Sequence, residues 1–447
     1  MYHVHGVATR GANMAVRILL VLAVVAIFYG CGQSSSSPEQ DEKAGAESKS
    51  VTPSAPAQQE TIQEESTQQE TTQQETTERS SEAAKIFSVG RCADNGSTDR
   101  QQEGRGEAAN GKIAFTRMTI RNRDIFVIDE EGDHQTRLTH GAAVEGAPLW
   151  SPDGEKLAFV SVRIGPGYIY VINTDGTNET RLTDQPLAAS ENPPAWSPDG
   201  RKIAFVGGSA YVGDIYVINT DGTNETRLTR FNGEPADQTY FGRPAWSPDG
   251  SKIAFFSTTI TSTYDDPDSS APATAPAEGL TGIYLINVDG TGLCKLTSIA
   301  EESEGEAAPT WSPTGNKIAF YEHNTIYSIN PDGTGRKELT GNMLLPTLYV
   351  WSPDGEKIAF IKQSDLYVIN ADGRGLRRLT NTPGPSSEAL PTWAPDSEKI
   401  AFSCPLEAEI DAHTDLCVIN ADGTGWKRIA SNVADEGIYI AASWGSR

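Results

Sequence analysis

The chain rewrites one stretch many times over. "AWSPDGRKIAF", Ala195 to Phe205, returns as "LWSPDGEKLAF", "AWSPDGSKIAF", "TWSPTGNKIAF", "VWSPDGEKIAF" and "TWAPDSEKIAF". In each copy the tryptophan ends one extended segment, Ser-Pro-Asp-Gly turns the chain, and Lys-Ile-Ala-Phe starts the next. Proline presets φ, aspartate accepts local hydrogen bonds, and glycine takes the left-handed conformation that a tight hairpin needs. A second hairpin follows at a variable distance: "IYVINTDGTNETRLT" from Ile169 and again from Ile215, with variants from Ile283, Ile326, Leu366 and Leu416. Its apolar residues alternate up to an Asp-Gly turn, and a shorter strand leaves it. Each unit therefore supplies four antiparallel strands.

The motif tryptophans, Trp150, Trp196, Trp246, Trp311, Trp351, Trp393 and Trp444, recur about every 40 to 50 residues, with one longer interval from Trp246 to Trp311 that marks an insertion. Four-stranded units at that period predict the blades of a β-propeller. Ile-Ala-Phe strands begin at Ile113, Leu157, Ile203, Ile253, Ile318, Ile358 and Ile400, which again makes seven. The first unit lacks a tryptophan strand before Ile113, and the last tryptophan, Trp444, has no Ile-Ala-Phe strand after it. An open ring would leave two unpaired edges, so the C-terminal strand is expected to complete the first blade. The fold class is all-β: a closed seven-bladed propeller over residues 108–447.

The motif Trp-Ser-Pro-Asp-Gly-x-Lys-Ile-Ala-Phe, followed by Ile-Tyr-Val-Ile-Asn-x-Asp-Gly and Arg-Leu-Thr, resembles the TolB-type, WD-like propeller repeat over roughly the last three quarters of the chain. The resemblance implies a propeller and an extracytoplasmic setting. It leaves function open, because propellers of this kind serve as adaptors, as lid domains of peptidases and as sugar lyases.

The segment ahead of the repeats differs in kind. Residues 32–107 are rich in Gln, Glu, Thr and Ser and almost free of large apolar side chains, so they cannot bury enough surface to offset chain ordering. They read as a disordered linker with a reach of roughly 50 Å. Residues 1–31 hold Arg17, the apolar run "ILLVLAVVAIFYG" and Cys31; the run is short for a membrane span and has the length of a signal-peptide core. "FYGC" resembles a bacterial lipoprotein signal with Cys31 as the lipidated residue; ordinary cleavage and an uncleaved anchor are the alternatives. Met14 is the more natural start of such a signal than Met1. A lipidated Cys31 would make the protein a membrane-anchored lipoprotein of the periplasm or cell surface.

Setting Cys31 aside leaves Cys92, Cys294, Cys404 and Cys417, an even number in a compartment that permits disulfides. Cys404 and Cys417 fall on neighbouring strands of the last blade and are candidates for a bridge; Cys92 with Cys294 would be the other pair. The net charge is −24, of which residues 111–447 carry −18. Such a surface repels nucleic acid, which is excluded as a partner.

The two short turns of every unit fall on one face of the ring, and the variable connections on the other, including "STTITSTYDDPDSSAPATAPAEGLTG" from Ser257 and "RFNGEPADQTYFGRP" from Arg230. Function on a rigid scaffold usually goes to varied loops. On that face Glu145, Glu191, Glu306 and Glu388 each precede a motif tryptophan by five residues. Either they are solvated loop residues or caps, or they gather round one mouth of the channel and favour a cation, a calcium ion or a basic protein patch. "NTDGTN" at Asn173 and Asn219 reads as a hairpin turn in preference to a calcium loop. No Gly-x-Ser-x-Gly elbow occurs, and His140, His323 and His413 lie on loops of different blades. The reading is a monomeric, non-catalytic binding or scaffolding propeller of the bacterial envelope, without a required cofactor, whose partner is an envelope protein, a glycan or a cationic ligand; the alternative is a carbohydrate-active enzyme resembling the seven-bladed oligogalacturonate-type lyases.

Overall fold

In the structure, a computed structural model, the described residues are Cys92 and 110–446, without 120–121, 142, 164, 189–192, 210–211, 230–236, 262–280, 300–307, 342–348, 364, 382–390, 406–413 and 435–441. They form seven antiparallel sheets and no helix. Residues 1–31 and all of 32–107 except Cys92 lie outside the described residues.

The seam is where the unmatched ends require it. The strand Ala442–Ser446 pairs with Asn110–Thr119, placing Ile113 opposite Trp444, Ala114 opposite Ser443 and Phe115 opposite Ala442. Blade 1 is therefore built from both ends of the ring, and blades 2 to 7 follow in chain order. The first strands of successive blades, from blade 3 round to blade 2, touch one another, which makes them the innermost.

Lys-Ile-Ala-Phe shows how the blades stack. Successive side chains of a strand point to opposite faces, and both faces of each second strand are covered. In blade 3, Ile203 and Phe205 pack on Ala158, Val160, Ile169 and Val171 of blade 2, while Ala204 and Val206 face Ile253 and Phe255 of blade 4. Large residues thus meet the small alanine of the preceding blade all round the ring. Ile113, Leu157, Ile203, Ile253, Ile318, Ile358 and Ile400 are each fully buried, and burying side chains of this size contributes about 1.5–3 kcal/mol apiece.

Blade 4 departs from the expected four strands. Its second strand runs on as Lys252–Thr261, and the segment Asp237–Phe241 pairs with the extension, Phe241 opposite Ser257, to make a fifth strand on the varied face. The extension reads Ser-Thr-Thr-Ile-Thr, four of its five residues β-branched and so favouring continued pairing. Repeat counting missed it because it lies inside the variable connections.

Candidate functional site

On the uniform face the repeated residues hold one another. Ser197 Oγ donates to Asp199 Oδ1 at 2.6 Å and accepts from the Lys202 amide at 2.8 Å. The Ser197 hydroxyl bond holds the Asp199 carboxyl below the usual carboxylate range. Gly200 has a φ of +68°, and its Cα side abuts Pro152 of the preceding turn, so turn packs on turn around the ring. Blade 7 carries Ser397 at that position, also left-handed, and its hydroxyl accepts from the Asp354 amide of blade 6 at 3.0 Å.

The tryptophans link the blades. Each indole N–H of Trp196, Trp246, Trp311, Trp351 and Trp393 donates to the carbonyl of the residue before the tryptophan in the preceding blade, at Leu149, Ala195, Ala245, Thr310 and Val350, over 2.9–3.3 Å. Trp150 continues the series across the seam to Ser443 O at 3.1 Å. Trp444 instead donates to Gly111 O of its own blade at 3.3 Å. Trp, Ser, Asp and Gly of the decapeptide are thus committed to the ring itself.

Toward the varied face, most blades bury an ion pair that the sequence reading did not single out. Asp124, Asp214, Asp365 and Asp415 stand near the start of the third strands of blades 1, 3, 6 and 7, and each is at most 5% exposed. Their partners are Arg137 at 2.7 Å, Arg227, Arg378 at 2.5 Å and Arg428 at 2.8 Å. Three of these arginines also donate from Nε to the carbonyl of the threonine two residues on, Thr139, Thr229 and Thr380. The threonine hydroxyls accept from Ile125, Ile215 and Leu366 amides at 2.8–2.9 Å. Arg-Leu-Thr is therefore a clip between the third and fourth strands. The signal was present: an aspartate stands thirteen residues before the arginine in each of these blades.

The remaining blades change the clip. In blade 5 a glutamate, Glu338, occupies the arginine position, and the pair moves to Glu322 with Arg336. In blade 4 the positions hold Gly282 and Lys295; burial keeps the lysine pKa below its usual range and pushes the neighbouring Tyr284 up to about 12. In blade 2 the aspartate is replaced by Tyr168, whose ring lies 4.8 Å under the Arg181 guanidinium.

Blade 2 recruits Glu145 in its place. This residue is 2% exposed; its Oε1 accepts from Arg163 Nη2 at 2.6 Å and from Ser161 Oγ at 3.2 Å. Arg163 also pairs with Glu179 and stacks over Tyr170 at 4.4 Å. Burial raises the Glu145 pKa against the pull of Arg163. Glu145 is thus not the solvated carboxylate expected at a channel mouth: the first strand of blade 2 starts early, at Glu145, and draws the side chain into the blade. Glu191, Glu306 and Glu388 lie outside the described residues.

Among the described residues no three of His, Cys, Asp and Glu are grouped to hold a metal ion. The "NTDGTN" stretches are hairpin turns: Asp175 Oδ1 accepts the Thr177 hydroxyl at 2.6 Å and amide at 2.9 Å, which lowers its pKa, and Asp221 repeats this with Thr223. His140 follows the blade 1 clip and His323 sits in the tight turn of blade 5, whereas His413 lies outside the described residues. His134, on the uniform side, bonds Asp129 at 2.8 Å. Cys404 and Cys417 are joined by a disulfide, as are Cys92 and Cys294.

Seven closed blades define the class: a seven-bladed β-propeller. No family profile and no curated protein sequence matches the chain. Similar solved structures include TolB from Acinetobacter baumannii, 17% identical over 76% of this chain and 67% of that one with a TM-score of 0.44. They also include an oligogalacturonate lyase from Vibrio parahaemolyticus, 16% identical over 73% of this chain and 87% of that one with a TM-score of 0.48. A prolyl endopeptidase structure reaches a TM-score of 0.51 at 12% identity, over 80% of this chain and 52% of that one, so this chain spans about half of it. At these identities the likeness is one of fold, and the expected seven-bladed propeller is shown by the pairing of the strands themselves.

Proposed function

We propose that the chain is a membrane-tethered, extracytoplasmic propeller of the bacterial envelope that binds or scaffolds other molecules and performs no chemistry of its own. The observation that carries this reading is the division of labour between the faces. On one, the repeated polar residues are spent on the turns and on the contacts that hold turn to turn between blades. On the other, blades 2 and 4 extend strands into connections of unequal length, which supply shape without repeating it. The partner is an envelope protein with a basic patch or a cationic ligand, drawn by a ring that carries −18 over residues 111–447. Because Glu145 is buried in an ion pair, the acidic mouth proposed here reduces to Glu191, Glu306 and Glu388.

The test is capture of envelope components by the full chain, compared with the variant Glu191→Gln, Glu306→Gln, Glu388→Gln at low and physiological salt. Weaker capture with a flatter salt dependence and an unchanged melting temperature supports the reading. Equal capture by both proteins at both salt levels contradicts it. Anchoring has its own test: Cys31→Ser should release the protein from the membrane fraction or leave it unprocessed, and a processed, membrane-bound variant would contradict lipid attachment.

A further inference from the structure

The two disulfides sit in different surroundings. Cys404 and Cys417 are 5% and 0% exposed, on the adjoining second and third strands inside blade 7. Cys92 and Cys294 are both half-buried, packed against Leu296, Ile299 and Ile318 at the junction of blades 4 and 5, and Cys294 opens the outermost strand of its sheet, Cys294–Ser298. A reductant can reach the second pair from solvent and must open the blade to reach the first. The second pair also contributes nothing to sealing the ring, which is done by Ala442–Ser446 on Asn110–Thr119.

We infer that Cys92–Cys294 is a redox-labile clasp that fixes where the N-terminal chain holds the ring, while Cys404–Cys417 is a structural bridge. With the clasp formed, residues upstream of Cys92 are attached at the outer strand of blade 4. With it reduced, the covalent route runs through residues 93–109 to Asn110 in blade 1 and gains 17 residues, up to roughly 60 Å of contour. Opening the clasp moves the point of suspension about three blades round the ring and leaves every blade paired.

The chemistry requires a dithiol as reductant. One of its thiolates attacks a sulfur of the bond, the S–S bond breaks with the electron pair leaving on the other cysteine, and the second thiol resolves the mixed disulfide. Two electrons and two protons pass to the cysteines, and the dithiol leaves as a disulfide. This chemistry does not depend on what the varied face binds or on lipidation of Cys31.

The full chain titrated with dithiothreitol under native conditions, alkylated and read by peptide mass spectrometry, tests the inference. Cys92 and Cys294 should be labelled at a reductant level on the order of tenfold below that for Cys404 and Cys417, with tryptophan fluorescence unchanged when the first pair opens. In a variant carrying a site-specific protease sequence in place of Asp99–Arg105, cleavage should leave the N-terminal fragment on the ring until that same reductant level. Simultaneous opening of both pairs, earlier opening of Cys404–Cys417, loss of the tryptophan signal with the first pair, or labelling of Cys92 without reductant would each overturn it.

Discussion

Asp214 and Arg227 show what the Arg-Leu-Thr signature does. The carboxylate is 4% exposed and is held by Arg227 and by the Thr229 hydroxyl, so removing the arginine strands a buried charge. Arg227→Ala should cost about 2–3 kcal/mol in urea denaturation, and Asp214→Val with Arg227→Val should cost less than the single change, because no charge is left behind. Two carboxylates should respond to pH with opposite signs. The Asp199 pKa is lowered, first by the Ser197 hydroxyl bond, so its contribution is present above the ordinary carboxylate range and disappears as pH falls through the folded value. Asp199→Asn should therefore be less stable than the parent at pH 7 and converge on it in acid. The Glu145 pKa is raised by burial, so its contribution is present at low pH and is lost as pH rises through the folded value. The parent should gain on Glu145→Gln as pH falls from 7 toward 4, and parallel pH profiles for the two comparisons would contradict these assignments.

At the scale of elements, each strand and turn carries one identifiable requirement. Trp246 supplies both packing and the bond to Ala195, so Trp246→Ala should cost about 3–5 kcal/mol and Trp246→Phe about 1 kcal/mol by thermal melting. Gly200→Ala meets only ordinary contact with Pro152 but must hold a left-handed φ, at about 1 kcal/mol; Gly282→Ala should cost more, because its Cβ would lie 2.2 Å from Thr297 O. The blades, their number, the two hairpins and the seam were legible in the sequence because each rests on local chemistry repeated at a period: Pro and Gly in the turns, alternation in Ile-Ala-Phe, and the mismatch of the two ends. The fifth strand of blade 4 was not, since pairing between Asp237–Phe241 and Ser257–Thr261 depends on two variable segments meeting. The burial of Glu145 was equally hidden. Its position before Trp150 was plain, but the early start of its strand and its partner Arg163, eighteen residues on, are tertiary facts. The Asp–Arg clips lay in plain view in the repeats and went unread because the pair spans two strands.

The whole molecule depends on a seam that joins residues more than three hundred positions apart, and its tolerance for change there should be small. Gly445 lies against Trp150 of blade 2, where a Cβ would approach the indole to 2.6 Å, so Gly445→Ala should lower the melting temperature by forcing the closing strand or the indole aside. A ring sealed in this way leaves no sheet edge open between first and last blades, which is what lets unequal connections accumulate on one face without unpairing the scaffold. The most direct measurement of that central claim is cross-linking across the seam. Ala114 and Ser443 face each other on neighbouring strands, at a spacing a disulfide can span. In the full chain, Ala114→Cys with Ser443→Cys should form an intramolecular disulfide, identified by its linked peptide in monomeric protein, as readily as Ala204→Cys with Val217→Cys, a facing pair within blade 3. A bond that forms in the blade 3 pair but not across the seam, or forms there only between separate chains, would contradict the closed ring.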